Sequence, residues 1–269
     1  MTAFSIVIPC YKNPVYLSLC LDSIINGQTR DNQIIVVLDG FLEMFTGFAE
    51  KYPEVSFLPL AQNMGMSYAY NVGVFNASNE RIIIVNDDQV FPVNWDCDNG
   101  LGYYLTHQRD KVITIDQIER EQSMLFNFHV GNYGTPDKFD QKAFDADCSR
   151  FYDETETPNG RIFPFIINKV DFLKVGGLNN GWFSSPQIVD LDLFLKLELC
   201  KMEFIRTHRC HLFHWGSTAT VKGNESQMFR EKEAKAAQAY QYMWSIPPYY
   251  GKDHSKLPPE NIVNGIRFR

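Results

Sequence analysis

The chain has 269 residues, of which 45% are hydrophobic and 21% charged, and its formal net charge is −7. This composition is typical of a folded globular protein and excludes a disordered chain. The acidic balance and the lack of any Lys/Arg run argue against nucleic acid as the main partner. No stretch of about 18 apolar residues occurs, so we expect no membrane span.

The cysteines indicate a reducing environment. They are scattered along the chain without a C-x-x-C pair, which favours buried thiols over a zinc site or a disulfide framework. The N-terminal sequence has neither the basic region nor the apolar stretch of a signal peptide. We therefore expect a cytoplasmic location. The six cysteines are Cys10, Cys20, Cys97, Cys148, Cys200 and Cys210.

The first third of the chain alternates strand and helix patterns. Asn13 and Pro14 have the residue types of an N-cap and a first helical position. This alternation predicts an α/β fold with a mostly parallel central sheet and helices on both faces. Buried strands are predicted to begin at Phe4, Gln33, Val55 and Arg81. Helices are predicted over residues 15–25, 42–51 and 67–76.

The pattern loosens between residues 96 and 160, which we interpret as an irregular region built to bind a partner molecule. Strands are predicted within it at Lys111 and after it at Ile162. Further helices are predicted over residues 169–175, 188–201 and 225–244. The tail from Ser245 is rich in proline and resembles a loop.

The strongest local motif is V-N-D-D-Q, residues 85–89, at the carboxyl end of the fourth predicted strand. Open parallel sheets bind ligands beyond this end of their strands. The oxygen donors of Asn86, Asp87 and Asp88 suit Mg²⁺ or Mn²⁺. A solvated turn explains this motif alone equally well. No glycine-rich phosphate loop follows the first strand, which argues against a dinucleotide-binding fold or a P-loop.

Asp39 and Gly40 end the second predicted strand and fall on the same sheet edge. A carboxylate there could accept a hydrogen bond from a nucleotide base or a ribose hydroxyl. The Asp-Gly pair is also a common turn dipeptide, so an ordinary turn remains the alternative.

Two later motifs carry candidate chemistry. V-D-L-D-L, residues 189–193, follows a Gly- and Trp-containing loop and is predicted to open a helix, so its carboxylates are either catalytic or complementary to the helix dipole. H-L-F-H-W-G-S, residues 211–217, contains His214, a candidate metal or diphosphate ligand whose alternative role is packing. His211 is interpreted as a packed histidine.

Together these motifs resemble the family-2 glycosyltransferases, which have the GT-A fold. F-S-I-V-I-P-C-Y-K-N-P at the start is similar to the first strand and helix of that family. V-L-D-G-F, N-M-G-M-S-Y-A-Y-N-V-G, N-D-D, G-G-L and V-D-L-D-L follow in the family's order, up to the histidine loop. The resemblance covers roughly residues 4–217, and the joint match is more specific than any single motif.

The resemblance implies a role for each matching residue. Asp88 is implied as the principal ligand of a Mn²⁺ or Mg²⁺ ion, with His214 as an auxiliary ligand, and Asp190 as the general base. We expect Trp182 and Asp192 to contact the acceptor. Nucleotide contacts are assigned to Pro9, Tyr11, Asp39, Asn63, Asn86 and Asp87.

The sequence departs from the family pattern at three positions: Leu38 and Asn86 each stand where an aspartate is usual, and Val189 where a glutamate is usual. Weaker metal binding and an unusual nucleotide preference are therefore expected. We expect a metal-dependent, inverting transfer of sugar from a UDP-sugar to a hydroxyl acceptor such as a glycan. The alternatives are a retaining transferase and a nucleotide- or sugar-binding module with little turnover. A nucleotidylyltransferase lacks support because its Gly-rich loop with Arg is missing.

We expect one GT-A domain over residues 1–222, with a nucleotide-binding half (1–95) and an acceptor-binding half (96–222). A C-terminal helix and tail would occupy residues 223–269. Tyr240 and Trp244 share a face of that helix. The aromatic face is expected to pack on the domain near His214, and the tail to cover the site or to join a homodimer, with plain core packing as the alternative.

Overall fold

The computed structural model describes residues 3–121, 128–158, 160–181, 186–216 and 226–245. The strands are β1 (Phe4–Cys10), β2 (Gln33–Asp39), β3 (Val55–Leu60), β4 (Arg81–Ile84), β5 (Gln89–Val90), β6 (Lys111–Glu119), β7 (His129–Val130), β8 (Gly134–Thr135), β9 (Lys138–Phe139), β10 (Glu156–Pro158), β11 (Phe165–Asn168) and β12 (Glu203–His214). The helices are α1 (Pro14–Gly27), α2 (Phe48–Lys51), α3 (Met66–Asn76), α4 (Gln141–Phe151), α5 (Lys169–Lys174), α6 (Pro186–Leu199) and α7 (Ser226–Trp244).

Ten of these strands form one mixed sheet in the order β10-β12-β6-β11-β4-β1-β2-β3, with β5 on β12 and β7 on β6. Strands β3, β2, β1 and β4 are parallel. Strand β11 is antiparallel to both β4 and β6, and β12 is parallel to β6. The carboxyl ends of β1, β2, β4, β6 and β12 therefore meet at one edge of the sheet.

The sheet is covered by helices on both faces, as the alternation of elements predicts. In β1, Ile6 and Ile8 belong to the core that contains Leu17 and Leu21 of α1. Val7, between them, belongs to the other core, which α3, α6 and α7 cover. Alternate side chains of a strand point to opposite faces, so β1 is buried on both sides.

The predicted helix over residues 42–51 is wrong. A 3₁₀ turn (Leu42–Phe45) and the short helix α2 replace it. Gly47, between the two, has a φ of +83°, a left-handed conformation that interrupts a right-handed helix.

Within the region between residues 96 and 160, β6 begins at Lys111 as predicted, but the helix α4 shows that the expectation of an irregular region is wrong in part. The side chain of Asp140 caps α4 by accepting a hydrogen bond of 3.0 Å from the backbone N–H of Ala143. Phe144 and Cys148 of α4 are buried. The Asp140 cap was a readable signal for this helix.

Helix α7 packs against α6, and its Ala236, Tyr240 and Trp244 belong to the same core as α3 and α6. The aromatic face packs on the domain, and its contacts are those of the alternative, plain core packing on α6, while its nearness to His214 stays a prediction. The tail after Ser245, for which a covering or dimer role is expected, lies outside the described residues. In the part of the chain that the structure describes, no helix has the length and apolarity needed to cross a membrane.

Candidate active site

The predicted site residues converge at the shared carboxyl edge of the sheet. Asp39 is the last residue of β2, and Asn86, Asp87 and Asp88 follow β4 directly. His214 ends β12, where it pairs in register with Glu119 at the end of β6. The topology thus brings together the sequence-distant groups that the motifs singled out.

His214 lies between two carboxylates. Its Nε2 is 3.5 Å from Oδ1 of Asp88, and its Nδ1 is 2.9 Å from Oε1 of Glu119. Burial alone lowers the pKa of His214, but the charge of Asp88 and the hydrogen bond and charge of Glu119 outweigh it and raise this pKa to about 9. The imidazole is therefore held in its charged form near neutral pH. Glu119 was not singled out from the sequence, because the strand predicted from Lys111 stopped short of it, whereas β6 extends to Glu119.

This donor set fits the divalent cation that the motif predicts. Asp88 and His214 supply a carboxylate oxygen and the imidazole nitrogen Nε2, which face each other at 3.5 Å, while Glu119 holds the other ring nitrogen, Nδ1. The proton on His214 offsets the negative charge of the neighbouring carboxylates, and a bound metal ion would offset the same charge. The assignment of Asp88 and His214 as ligands of one ion stays a prediction, and the short distance between their ligand atoms supports it.

Asp87 faces the junction of β1 and α1. Its Oδ1 accepts a hydrogen bond of 3.2 Å from Nδ2 of Asn13, and the Cys10 thiol donates to it as well. Burial first, and then the charge of Asp88, raise the pKa of Asp87 to about 7. Asn13 precedes α1 as predicted, but its side chain makes no cap hydrogen bond because its amide binds Asp87.

Asn86 is held by a tyrosine of α3. The hydroxyl of Tyr70 lies 2.7 Å from Oδ1 of Asn86 and 2.9 Å from the carbonyl oxygen of Val85. The backbone N–H of Asn86 donates to Oε1 of Gln89 at 3.1 Å. The side chain that replaces the usual aspartate is thus fixed by protein groups.

Asp190 lies in the second turn of α6, because this helix begins at Pro186 and not at the residue expected from the sequence. The helix-dipole explanation, which applies to the first turn, is weakened by this position. Burial raises the pKa of the Asp190 carboxyl well above its ordinary value. Its Oδ1 is buried and has no hydrogen-bond partner among the described residues.

Tyr70 connects Asp190 to the sheet edge. Burial raises the pKa of the Tyr70 hydroxyl most, followed by the charges of Asp190, Asp87 and Asp88. Such charge effects fall off with distance, so Tyr70 lies near all three carboxylates. Asp190 and the strand-end aspartates therefore border one region.

Asp192 does not have the environment expected of an acceptor contact. It is fully buried, its Oδ2 forms an ion pair of 2.9 Å with Nζ of Lys196, and its Oδ1 accepts from Nε1 of Trp244 at 2.9 Å. Lys196 also donates to the carbonyl of Gly177 at 2.6 Å. This expectation is corrected: Asp192 fastens α7 and the Gly-Gly loop to α6. Trp182, the other expected acceptor contact, lies outside the described residues.

Asp39 anchors the loop before α3. Its two carboxylate oxygens accept hydrogen bonds from the backbone N–H groups of Met64 and Gly65, at 2.6 and 3.0 Å. Gly40 has a φ of +81°, and a Cβ at this position would lie 2.7 Å from the backbone nitrogen of Asn63. The side chain of Asn63 accepts from Gly65, and the residue is exposed. Asp39 thus shapes the loop that borders the predicted nucleotide pocket.

An aromatic pair stands beside this loop. The rings of Tyr11 and Phe41 meet edge to face with centroids 5.5 Å apart, and Nζ of Lys12 lies 4.0 Å from the Phe41 centroid. Lys12 and Phe41 both adopt left-handed φ values, 53° and 54°, which is strained for such side chains. Pro9 is partly exposed in β1, next to this pair. Phe41 and Lys12 were missed in the sequence, although each adjoins a predicted motif.

Asn71 connects two of the motifs. Its side-chain amide donates to the carbonyl of Leu178 at 2.7 Å and accepts from the N–H of Leu178 at 2.9 Å. Leu178 belongs to the G-G-L segment that precedes α6 and Asp190. The asparagine of the α3 motif therefore fixes the loop that leads to the candidate base.

The model of the family described as Glycosyl transferase family 2 matches residues 5–142, just over half of the 269-residue chain. The chain belongs to glycosyltransferase family 2. The family-2 resemblance read from the motifs is thereby confirmed.

This family-2 protein is similar in sequence to a glycosyltransferase of a bacterium. It is 26% identical over 165 residues to "Glycosyltransferase GlyA" of Streptococcus pneumoniae serotype 4, covering 60% of the present chain. The match takes in 23% of that relative, so the chain spans about a quarter of its length.

The solved structures of S. aureus TarS share the fold. Residues 1–349 of TarS align with a TM-score of 0.58 at 14% identity, over 90% of the present chain and 72% of that TarS segment. The same TarS segment has been solved with UDP-GlcNAc, and this structure aligns with a TM-score of 0.55 at 14% identity, over 93% of this chain and 75% of that one. The expected GT-A-type fold is thereby confirmed.

Proposed function

We propose that this protein is an inverting glycosyltransferase that moves a sugar from a UDP-sugar to a hydroxyl of an acceptor, most simply a glycan. The observation that carries the proposal is Asp190, whose buried Oδ1 has no hydrogen-bond partner within the described part of the chain and whose pKa is raised by burial, beside the strand-end aspartates.

Asp190 has the properties of a general base for this reaction. A carboxylate whose pKa is raised binds a proton more strongly than an ordinary one, and Oδ1, which none of the described residues engages in a hydrogen bond, can accept the proton of an incoming hydroxyl. Asn71 binds the backbone of Leu178 and so fixes the G-G-L segment that precedes α6 in the chain. A single base opposite a single leaving group favours one displacement, which inverts the anomeric centre.

Asp88 and His214 are the residues that would hold a Mn²⁺ or Mg²⁺ ion, with Glu119 orienting the imidazole. When bound, such an ion stabilises negative charge on the departing diphosphate. Asn86 is bonded to Tyr70 and makes a poorer ligand than the aspartate usual there. The metal dependence is therefore expected to rest mainly on Asp88.

The nucleotide is assigned to the region of Tyr11, Phe41 and Asp39. An aromatic pair offers a face for a base, and Lys12 above the Phe41 ring adds a positive charge near the phosphates. TarS, a protein of the same fold, has been solved with UDP and with UDP-GlcNAc. This likeness supports a UDP-sugar donor.

The proposal includes a cellular compartment and a domain arrangement. The six cysteines are free thiols, which supports a reducing compartment such as the cytoplasm. We also propose that residues 1–222 form the catalytic domain. Residues 223–269 would form an extension whose tail covers the site or joins a homodimer.

A donor screen tests the proposal. The protein is heated with UDP, GDP and other nucleoside diphosphates, with and without Mn²⁺, and UDP with Mn²⁺ is expected to give the largest rise in melting temperature. UDP release from UDP-sugars is then measured, and the product anomer is determined by NMR. A product of retained configuration contradicts inversion, and UDP binding without turnover or donor hydrolysis favours the binding module.

A further inference from the structure

A cluster of one carboxylate and two imidazoles lies apart from the candidate active site. Asp116 of β6 pairs in register with His211 of β12, three residues before the Glu119–His214 pair on the same two strands. Three residues of strand correspond to about 10 Å, so this cluster lies well back from the sheet edge. None of its members has a role in the proposed transfer.

A break in the strand register assembles this cluster. Thr207 pairs with Ile115 and His211 with Asp116, so residues 208–210 bulge out between consecutive residues of β6. The bulge brings His208 and His211 to the same carboxylate. Bulges that re-aim side chains are common next to functional sites.

The distances fit a metal ion. Oδ2 of Asp116 lies 3.5 Å from Nε2 of His211 and 2.5 Å from Nδ1 of His208, and the three ligand atoms all lie within 4.8 Å of one another. Two ligands of a tetrahedral zinc ion at ordinary bond lengths are about 3.4 Å apart. The Asp116–His211 distance already matches this value. The half-buried His208 would have to move only about 1 Å away from Asp116 to reach it.

His211 supplies an independent indication of a ligand. Its side chain is 1% exposed, its Nδ1 has no hydrogen-bond partner among the described residues, and its Nε2 has only the 3.5 Å contact with Oδ2 of Asp116. A buried polar atom without a partner normally costs about 1–3 kcal/mol and calls for an unseen ligand. His211 is packed among other rings, as expected from the sequence, but packing alone leaves its Nδ1 unsatisfied.

Outer contacts suit metal ligation as well. Nε2 of His208 lies 2.8 Å from Oγ1 of Thr157, which can accept its proton when Nδ1 binds an ion. Oδ1 of Asp116 accepts from the backbone N–H of Gln117 at 2.9 Å, leaving Oδ2 for the metal. Thr157 therefore orients the His208 ring, and the backbone of Gln117 orients the Asp116 carboxylate.

We propose that Asp116, His208 and His211 bind a Zn²⁺ ion that fastens the bulge of β12 to β6. Two imidazoles and one carboxylate suit zinc better than Mg²⁺ or Mn²⁺, so this site differs in metal preference from the Asp88 site. The scattered cysteines argue only against zinc sites built from thiolates. Three protein ligands leave the fourth tetrahedral position to water or to another small ligand.

Zinc binding by the full chain tests this site. Metal-free protein is dialysed against Zn²⁺, and retained metal is counted for wild type, Asp88→Asn, Asp116→Asn and His208→Ala. One Zn²⁺ per chain is expected in wild type and in Asp88→Asn, and a loss of this ion in the other two. His107→Ala, which removes an exposed imidazole outside the cluster, should retain it.

Two further measurements separate ligation from a folding defect. Thr157→Val keeps all three ligands and should weaken Zn²⁺ about tenfold. Co²⁺ in the wild type should show the visible absorption of a tetrahedral ion, and Zn²⁺ should raise the melting temperature of wild type but not of His208→Ala. Wild type that retains no zinc, or zinc retained equally by Asp116→Asn and His208→Ala, overturns the proposal. Neither result depends on sugar transfer.

Discussion

The indole nitrogen of Trp244 donates a 2.9 Å hydrogen bond to Oδ1 of Asp192, so the last turn of α7 is fastened to α6. Both residues are buried, and Lys196 completes the charge balance on the other carboxylate oxygen. A residue that looks like an acceptor contact in the sequence is thus part of the connection between two helices.

Replacing Trp244 by Phe should reduce stability. The substitution removes the donor to a buried carboxylate, which costs about 1–3 kcal/mol in the free energy of unfolding. Chemical denaturation of both proteins measures this difference. Tyr242→Phe is the matched control, because Tyr242 is 83% exposed on the same helix and should leave stability unchanged. Equal stabilities for Trp244→Phe and wild type would contradict this role.

Asp190→Asn should impair sugar transfer, whereas Asp192→Asn should impair stability. Asp190→Asn removes the proton acceptor but keeps the shape, so transfer should fall about 10²-fold or more while UDP affinity stays the same. Asp192→Asn breaks a buried ion pair and should cost about 3–5 kcal/mol in stability. Kinetic assays and melting curves of the two variants make the comparison. Near-normal transfer by Asp190→Asn would require a different base.

The affinity for Mn²⁺ should rise with pH up to about 9, the pKa of His214. Below this value a proton must leave the imidazole before the metal binds, which costs about tenfold in affinity per pH unit. Calorimetric titrations at several pH values measure the slope. An affinity independent of pH between 7 and 9 would exclude His214 as a ligand.

The raised pKa of His214 should also make the stability of the metal-free protein depend on pH. Because the folded-state pKa is raised from 6.5 to about 9, protonated His214 stabilises the fold fully below 6.5. This contribution should be lost progressively as pH rises toward 9, and the melting temperature of metal-free protein should fall. In His214→Gln this part of the pH dependence should disappear, and an unchanged profile would contradict the assignment.

Glu119→Gln should weaken metal binding by about 10–100-fold, because Glu119 orients His214 through Nδ1. The loss of its charge should also lower the pKa of His214, so the pH dependence of Mn²⁺ affinity should shift to lower pH. Isothermal titration of the variant measures both effects. Glu43→Gln, at an exposed position, is the control for removing one carboxylate. Equal Mn²⁺ affinities in the two variants would count against a positioning role for Glu119.

Most regular elements could be predicted from residue pattern, because buried parallel strands are continuous apolar runs and their helices repeat at helical spacing. The errors have local causes. Gly47 interrupts the predicted helix over residues 42–51 through its left-handed backbone. Helix α4 was missed because its hydrophobic face is short, with Phe144 and Cys148 buried and most of its other positions polar.

The sequence by itself determined the family, the α/β alternation and the placement of Asp39 and Asp88 at the ends of predicted strands, since alternating strands and helices favour parallel strands that share a carboxyl edge. His214 was predicted in a loop after a strand, whereas in the structure it is the last residue of β12. Only the tertiary structure decided what each carboxylate touches. Asp190 and Asp192 are two residues apart on α6, yet Oδ1 of Asp190 has no hydrogen-bond partner among the described residues, while Asp192 binds Lys196 and Trp244. Residues two apart on a helix do not share a face, so their different neighbours come from other parts of the chain. The same holds for Asp116, His208 and His211, which a bulge in β12 brings together and which no spacing in the sequence indicates.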